Sequence, residues 1–109
     1  WDAGGLGGAL NYPLLSDLQG AASWSYGVST EDGVALRGLF LIDPEGVVMH
    51  STINNLPVGR NASEAVRTLD AFQFVASNDG QVCPANWSEG EDSMDANPDG
   101  MRDYLTSHE

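Results

Sequence analysis

Residues 34–42 read Val-Ala-Leu-Arg-Gly-Leu-Phe-Leu-Ile, and this stretch decides the fold. It is apolar at nearly every position, which is typical of a β-strand that is buried on both faces and lies centrally in its sheet. The next four residues, Asp-Pro-Glu-Gly at 43–46, place Pro at the second and Gly at the last position of a β-turn. The chain is therefore predicted to reverse into a second, more polar strand at 47–54, which completes a hairpin and lies at the sheet edge.

Helices are predicted on both sides of this hairpin. Upstream, a short strand or extended run at 12–15 leads into a helix over 18–26, with Asp17 near its N-cap. Downstream, Asn61 caps a long helix and Glu64, three residues later, completes a capping box. This order indicates an α/β domain in which the long helix covers the sheet. The apolar residues expected to form its core-facing stripe are Ala62, Ala65, Val66, Leu69, Phe72 and Ala76.

The composition is strongly acidic. Sixteen acidic residues stand against four arginines in 109 residues, there is no lysine, and the net charge is −12. Nucleic acid is not expected as a partner, because its phosphates would be repelled. No apolar run approaches the length of a membrane span, so no membrane association is expected. The same composition fits a protein kept soluble in high salt, where screening removes the self-repulsion.

The length and the two ends of the chain bear on its organisation. The length fits a single domain, and the glycine-rich opening at 1–11 favours the interpretation that the chain is the tail of a longer protein. The acids concentrate after residue 78, which predicts a solvated tail with disorder as one alternative. Pro98 is expected to open a short terminal helix within that tail.

The sequence contains one cysteine, Cys83, within Gln-Val-Cys-Pro-Ala-Asn-Trp at 81–87. Turn-forming residues precede this segment and acids follow it, so an exposed loop is predicted. A lone cysteine forms no intrachain disulfide, which leaves a buried filler, a nucleophile or half of an intermolecular disulfide. Exposure favours the reactive thiol, and one unpaired cysteine fits a reducing compartment, here the cytoplasm. The neighbouring acids disfavour a thiolate, so its pKa is not expected to be strongly lowered.

Two arginines are further candidates for chemistry. Arg37 interrupts the apolar strand, where an unpaired guanidinium would be costly to bury. It is either half of a structural ion pair or a fixed positive charge that faces an anionic or thiolate centre. Arg60 precedes the long helix and could act similarly, with surface capping as the alternative.

No metal or cofactor site is predicted. His50 and His108 have no second ligand at zinc spacing. The run at 95–106 begins like a calcium loop, but position twelve is Thr106 where a bidentate Glu belongs.

Four motifs occur in a definite order along the chain. They are Gly-Gly-Leu-Gly at 4–7, Arg-Gly-Leu-Phe-Leu-Ile-Asp at 37–43, Asn-Asn-Leu-Pro-Val-Gly-Arg at 54–60 and Val-Cys-Pro-Ala-Asn-Trp at 82–87. Together they resemble the C-terminal half of a typical two-cysteine peroxiredoxin of the alkyl hydroperoxide reductase C type. The resemblance covers essentially the whole chain. It implies a thioredoxin-like α/β fold and a thiol-dependent peroxidase that reduces hydrogen peroxide and alkyl hydroperoxides.

The resemblance also implies a role for each candidate residue. Cys83 matches the resolving cysteine, Arg37 the arginine that stabilises the peroxidatic thiolate and the peroxide, and Arg60 the arginine that supports the active-site loop. The family's peroxidatic cysteine lies in a Pro-x-x-x-Thr-x-x-Cys motif upstream of these motifs and is missing from this sequence. The chain is therefore expected to be a fragment without peroxidase activity of its own.

Partners and boundaries follow from the same resemblance. The expected partners are a peroxide substrate, thioredoxin or a flavoprotein reductase, and a second subunit, with a ring of dimers as one alternative. The expected division places the thioredoxin-like part at 1–76 and the resolving-cysteine segment with the acidic tail at 77–109. A non-catalytic dimerisation or chaperone-like module, paired through the edge strand at 47–54, is the competing function.

Overall fold

The computed structural model describes residues 10–109, so the glycine-rich opening predicted at 1–11 lies, up to residue 9, outside the described residues. The elements are α1 (Ala21–Ser25), β1 (Arg37–Ile42), β2 (Val48–Asn54), α2 (Ala62–Ser77), β3 (Gln81–Val82), β4 (Met94–Asp95) and α3 (Pro98–Ser107). Strands β1 and β2 form one antiparallel sheet, and β3 and β4 form another. None of the helices in this described range is long and apolar enough to cross a membrane.

The predicted hairpin is confirmed. Asp43 Oδ1 accepts hydrogen bonds from the backbone N–H groups of Glu45 and Val47, both at 2.9 Å, so its side chain closes the turn. Gly46 has a φ of 85°, which a residue with a Cβ adopts only at a cost. Strands β1 and β2 pair from Arg37 opposite Asn54 onwards, with a register shift between Leu41 and Ile42.

The predicted burial of the first strand on both faces is wrong for the described residues. There β1 pairs with β2 alone, and its four central residues are only half-buried. Ile42 keeps 47% of its surface exposed. A strand buried on both faces needs a neighbour on each side and a layer over each face. The described part of the chain supplies one neighbour, and an apolar sequence alone does not reveal how many neighbours a strand has.

A small cluster lies around the start of this sheet. Val28 is buried, with 6% of its surface exposed, and the ring centroids of Tyr26 and Phe40 lie 4.7 Å apart. A Cβ built on Gly38 would lie 2.8 Å from the Phe40 ring and 3.2 Å from Val28. Glycine at position 38 therefore lets the ring of Phe40 fold back over the strand.

The helix predicted at 18–26 is shorter than expected and spans Ala21–Ser25. Gly20 adopts a left-handed φ of 72°, which ends the helix on its N-terminal side. Asp17 lies near the N-cap residue Gly20, as predicted, and its carboxylate accepts from the N–H groups of Ala22 at 3.0 Å and Ser23 at 2.9 Å. The run at 12–15 forms no strand in the described structure.

Helix α2 begins where it was predicted to begin, and Asn61 caps it by accepting from the Glu64 N–H at 3.0 Å. Its predicted core-facing stripe is wrong in orientation: Val66 is 57% exposed, whereas Thr68 is buried. The predicted stripe residues Leu69, Phe72 and Ala76 instead line an open apolar cleft of about 610 Å³ with residues of the hairpin. The helix thus covers the sheet incompletely, and the segment after β3 packs on another of its faces.

The acidic C-terminal region is ordered rather than disordered. Strand β3 pairs with β4 through Gln81 opposite Asp95, and the Gln81 amide also donates to the Asp95 carboxylate. Asn97 caps α3 by accepting from the Gly100 N–H at 2.7 Å, so the helix predicted to open at Pro98 is confirmed. Local hydrogen bonds between polar side chains and the backbone thus order a region whose charge suggested a solvated tail.

Candidate functional site

Cys83 follows β3 directly and is half-buried against α2. Its Sγ lies 3.8 Å from the carbonyl oxygen of Ala71, a distance that fits a weak S–H···O hydrogen bond. The prediction that Cys83 lies on an exposed loop is therefore wrong, because the thiol is half-buried. The thiol opens into a depression of about 320 Å³ whose lining includes Arg67, Val75 and Pro84.

A buried tryptophan holds this segment on the helix. Trp87 is buried, with 1% of its surface exposed, and its ring packs on the ring of Phe74 with the centroids 5.0 Å apart. The indole Nε1 donates to the carbonyl of Glu91 at 3.0 Å, which satisfies its polar atom. Because a buried Trp is the largest apolar anchor available, Trp87 fixes the backbone four residues beyond Cys83.

The helix presents Arg67, Ala71 and Phe74 on one face, because these positions are four and three residues apart. Arg67 Nη1 donates to the Trp87 carbonyl at 2.6 Å. Its Nε and Nη2 donate to the two carboxylate oxygens of Glu64, both at 2.8 Å. A bidentate pair of this kind fixes the plane of the guanidinium.

The sequence-based interpretation missed Arg67. It assigned Glu64 to a reciprocal capping box with Asn61, whereas the Glu64 carboxylate binds Arg67. The helix N-terminus therefore has half of that box, the bond from the Glu64 N–H to Asn61. The available signal was the three-residue spacing of Glu64 and Arg67, which brings opposite charges together on a helix.

Two opposing effects act on the thiol. Burial raises the pKa of Cys83, and the positive charge of Arg67 partly offsets that rise. The sequence-based expectation that this pKa is not strongly lowered is consistent with the rise. Its stated cause was different, because the neighbouring acids were expected to dominate and burial does.

Arg37 and Arg60 lie with the loop at 55–60. Arg37 is exposed at the start of β1, and its Nε donates to the Leu56 carbonyl. Asn54 Nδ2 donates to the Gly59 carbonyl at 2.9 Å, so this loop is tied to the open end of the hairpin at two points. Arg60 is exposed between this loop and α2. The predicted buried guanidinium is therefore wrong: Arg37 begins the strand, where solvent reaches it.

The described contacts form two groups rather than one. Cys83 contacts Ala71 and shares a depression with Arg67, whereas Arg37 belongs with the loop after β2. Residues 10–109 contain no cluster of three His, Cys, Asp or Glu side chains arranged to hold a metal ion. His108 lies 3.3 Å from a carboxylate oxygen of Asp92 and stacks on the Tyr104 ring, which gives it a place in the tail.

Two family models match the chain. The AhpC/TSA family matches residues 3–51, and the C-terminal domain of 1-Cys peroxiredoxin matches residues 71–107. The chain is 55% identical over 103 residues to a chloroplastic 2-cysteine peroxiredoxin of Chattonella marina var. antiqua, covering 94% of this chain and 52% of that protein. These matches support a 2-Cys peroxiredoxin-type protein. A thioredoxin peroxidase of Trypanosoma brucei rhodesiense is 51% identical over 105 residues, covering 95% of this chain and 52% of the relative.

The solved structures place this peroxiredoxin-type chain in the thioredoxin-like α/β fold, as the sequence predicted. Reduced 2-Cys peroxiredoxin of Plasmodium vivax superposes with a TM-score of 0.80 at 42% identity, covering 84% of this chain and 47% of that structure. The chain spans about half the length of the curated relatives it matches. The Cys83 segment lies within the part of the chain that matches the C-terminal domain of 1-Cys peroxiredoxin.

Proposed function

We propose that this chain is part of a thiol-dependent peroxidase and that Cys83 is its resolving cysteine. The observation that carries the proposal is the position of Cys83, the one thiol of the sequence, in a segment that matches a peroxiredoxin C-terminal domain. Its half-burial against α2 beside a guanidinium supports the role. Such a thiol reacts slowly with dissolved peroxide, yet it attacks an electrophilic sulfur held beside it.

The proposed reaction has two balanced steps. A peroxidatic thiolate on another segment attacks the terminal oxygen of the peroxide ROOH, the O–O bond breaks, and the sulfur becomes a sulfenic acid. The alkoxide RO⁻ leaves and takes up a proton to give the alcohol ROH, or water when R is hydrogen. The Cys83 thiolate then attacks the sulfenic sulfur, an S–S bond forms, and hydroxide leaves as water after taking up a proton. A dithiol reductant reduces the disulfide back to two thiols.

Arg37 and Arg60 have supporting roles in this proposal. Arg37 supplies a fixed positive charge for the peroxidatic thiolate and the polarised peroxide, since anionic centres are stabilised by guanidinium donors. Arg60 supports the active-site loop. Arg37 binds the Leu56 carbonyl of the loop after β2, and Arg60 is the last residue of that loop, which favours a joint role.

The proposed partners are a peroxide, a thioredoxin or flavoprotein reductase, and a second copy of the chain. The name of the trypanosomal relative supports thioredoxin as the reductant. The cytoplasmic location remains a prediction, because the similar proteins include chloroplastic ones. We propose that the dimer forms through β2, which has a partner on one side alone within the described sheet and exposes Met49 and Ile53.

The same exposed strand favours a second candidate function, a non-catalytic dimerisation or chaperone-like module of this fold. The two functions differ in what precedes Trp1. A Thr-x-x-Cys motif in the upstream reading frame supports the peroxidase, and a reading frame without it supports the module.

The experiment uses this chain and a longer protein that contains it together with a Thr-x-x-Cys segment. The chain alone is expected to consume no hydrogen peroxide, because it lacks the peroxidatic thiol. In the longer protein, Cys83→Ser is expected to abolish the disulfide-linked dimer on non-reducing gels while the first oxidation persists. Rapid peroxide consumption by the chain alone, blocked by alkylating Cys83, would make Cys83 the peroxidatic thiol and overturn the proposal.

A further inference from the structure

The guanidinium of Arg67 is held on two sides. Its Nε and Nη2 bind both carboxylate oxygens of Glu64, and Nη1 binds the backbone carbonyl of Trp87 across the gap between α2 and the Cys83 segment. This guanidinium therefore cannot turn away from the segment without losing charge-assisted hydrogen bonds. The resulting fixed charge borders the same depression as the Cys83 thiol.

A second ion pair of the chain shows what an ordinary helix pair looks like. Arg102 Nη1 lies 3.2 Å from Asp99, again three residues earlier, and both side chains are largely exposed. That pair stays within α3, whereas Arg67 also binds the Trp87 carbonyl, twenty residues away in sequence. Exposed pairs of the first kind contribute little. The bond to Trp87 is thus the feature that distinguishes Arg67.

We propose that Arg67 is a positioning residue for the resolving cysteine, whose fixed positive charge favours the ionised form of Cys83. This inference deepens the proposed function and rests on it, because a thiolate is the form that attacks a sulfenic acid. Without such a charge, a half-buried thiol would remain protonated at neutral pH, because burial disfavours the charged form.

The charges around the thiol support this role. Among the described residues that line the depression, Arg67 is the charged one, and the others are Ala71, Phe72, Val75, Pro84, Ala85 and Asn86. Glu64 is paired with Arg67 and does not line the depression, and neither do the acids of the segment after Cys83. Burial raises the pKa of Cys83, and Arg67 is the opposing influence.

The test is the pH profile of Cys83 alkylation by iodoacetamide in this 109-residue chain, since the thiolate is the reacting form. Arg67→Gln keeps a hydrogen-bonding side chain and removes the charge, and it is expected to move the midpoint to higher pH. The expected loss of alkylation rate at neutral pH is about three- to tenfold, the size expected for a partly exposed opposite charge. Arg67→Lys is expected to keep most of the wild-type midpoint.

Arg102→Gln is the matched control, because it breaks an ion pair of the same spacing that does not face the thiol. In concentrated urea all four proteins are expected to share one midpoint, since the effect depends on the fold. In a folded Arg67→Gln protein, a wild-type midpoint, or one that falls to the denatured value, overturns the proposal. Should Arg67→Gln lose its far-UV circular dichroism, Arg67→Lys carries the test, and a tenfold slower reaction for that variant contradicts the proposal.

This assay needs no peroxide and no peroxidatic cysteine. A failure of the proposed peroxidase function would appear in the Cys83→Ser gel experiment and would leave the alkylation profiles unchanged. A failure of the Arg67 inference would appear in the profiles and would leave the gel result unchanged.

Discussion

Trp87→Ala should be among the most destabilising single substitutions in the described part of the chain. There, Trp87 and Val28 are the two buried apolar side chains, and Trp87 is much the larger and the more completely buried. Burying about 150–250 Å² of indole at about 25 cal/mol per Å² contributes about 4–6 kcal/mol. Alanine keeps part of that burial, and the measured cost of such truncations is about 3–5 kcal/mol. The lost bond from Nε1 to the Glu91 carbonyl is included in that range.

The assay is urea unfolding followed by far-UV circular dichroism, which does not depend on tryptophan emission. With a slope of about 2 kcal/mol per molar urea, the midpoint should fall by about 1.5–2.5 M. Trp24→Ala is the control, because Trp24 is 79% exposed and should change stability by no more than about 0.5 kcal/mol. The Cys83 thiol should also alkylate faster in Trp87→Ala, because the segment loses its anchor on α2.

Equal midpoints for the Trp87 and Trp24 variants would refute this reasoning. They would mean that the packing of Trp87 on Phe74 contributes nothing to the folded state. A lower midpoint without faster alkylation would separate the stability of the chain from the docking of the Cys83 segment.

Three further predictions concern other elements. Hydrogen bonds from the first turn of α1 lower the pKa of Asp17. The stability that Asp17 contributes is therefore present above the ordinary pKa of an Asp side chain and is lost as the pH falls through its lower pKa in the folded chain. Asp17→Asn should make the urea unfolding midpoint less dependent on pH in this acidic range. Asn61→Ala removes the cap on the Glu64 N–H and should cost about 1 kcal/mol in urea unfolding, whereas an unchanged midpoint would make the cap irrelevant. In a protein that also carries the peroxidatic cysteine, Arg37→Met should slow peroxide reduction at least tenfold with little loss of stability, because Arg37 is exposed and the methionine keeps its reach; an unchanged rate would make Arg37 structural.

Local sequence signals predicted the local structure well. The turn at 43–46, the hairpin and the start of α2 at Asn61 each depend on residues within a few positions of one another. Turn and cap preferences act over such distances, so one sequence suffices to locate them. The terminal helix at Pro98 followed from the same kind of signal.

Burial could not be predicted in the same way. The apolar pattern of β1 indicated two covered faces, and the stripe on α2 indicated one core-facing side, but both depend on which other elements pack there. Arg67 was missed because its partner, the Trp87 carbonyl, is brought near by the tertiary fold. Cys83 and Arg37 were singled out from the sequence, but Cys83 is half-buried where exposure was expected, and Arg37 is exposed where burial was expected.

The most direct test of the central claim is peptide mapping of the disulfide formed after peroxide treatment. The longer protein with its Thr-x-x-Cys segment is treated with one equivalent of hydrogen peroxide, alkylated, and digested with trypsin under non-reducing conditions. Trypsin cleaves after Arg67 and Arg102, so Cys83 falls within peptide 68–102. The account predicts peptide 68–102 joined by a disulfide to the peptide with the Thr-x-x-Cys motif. Complete turnover of peroxide with peptide 68–102 recovered as the alkylated free thiol would contradict it.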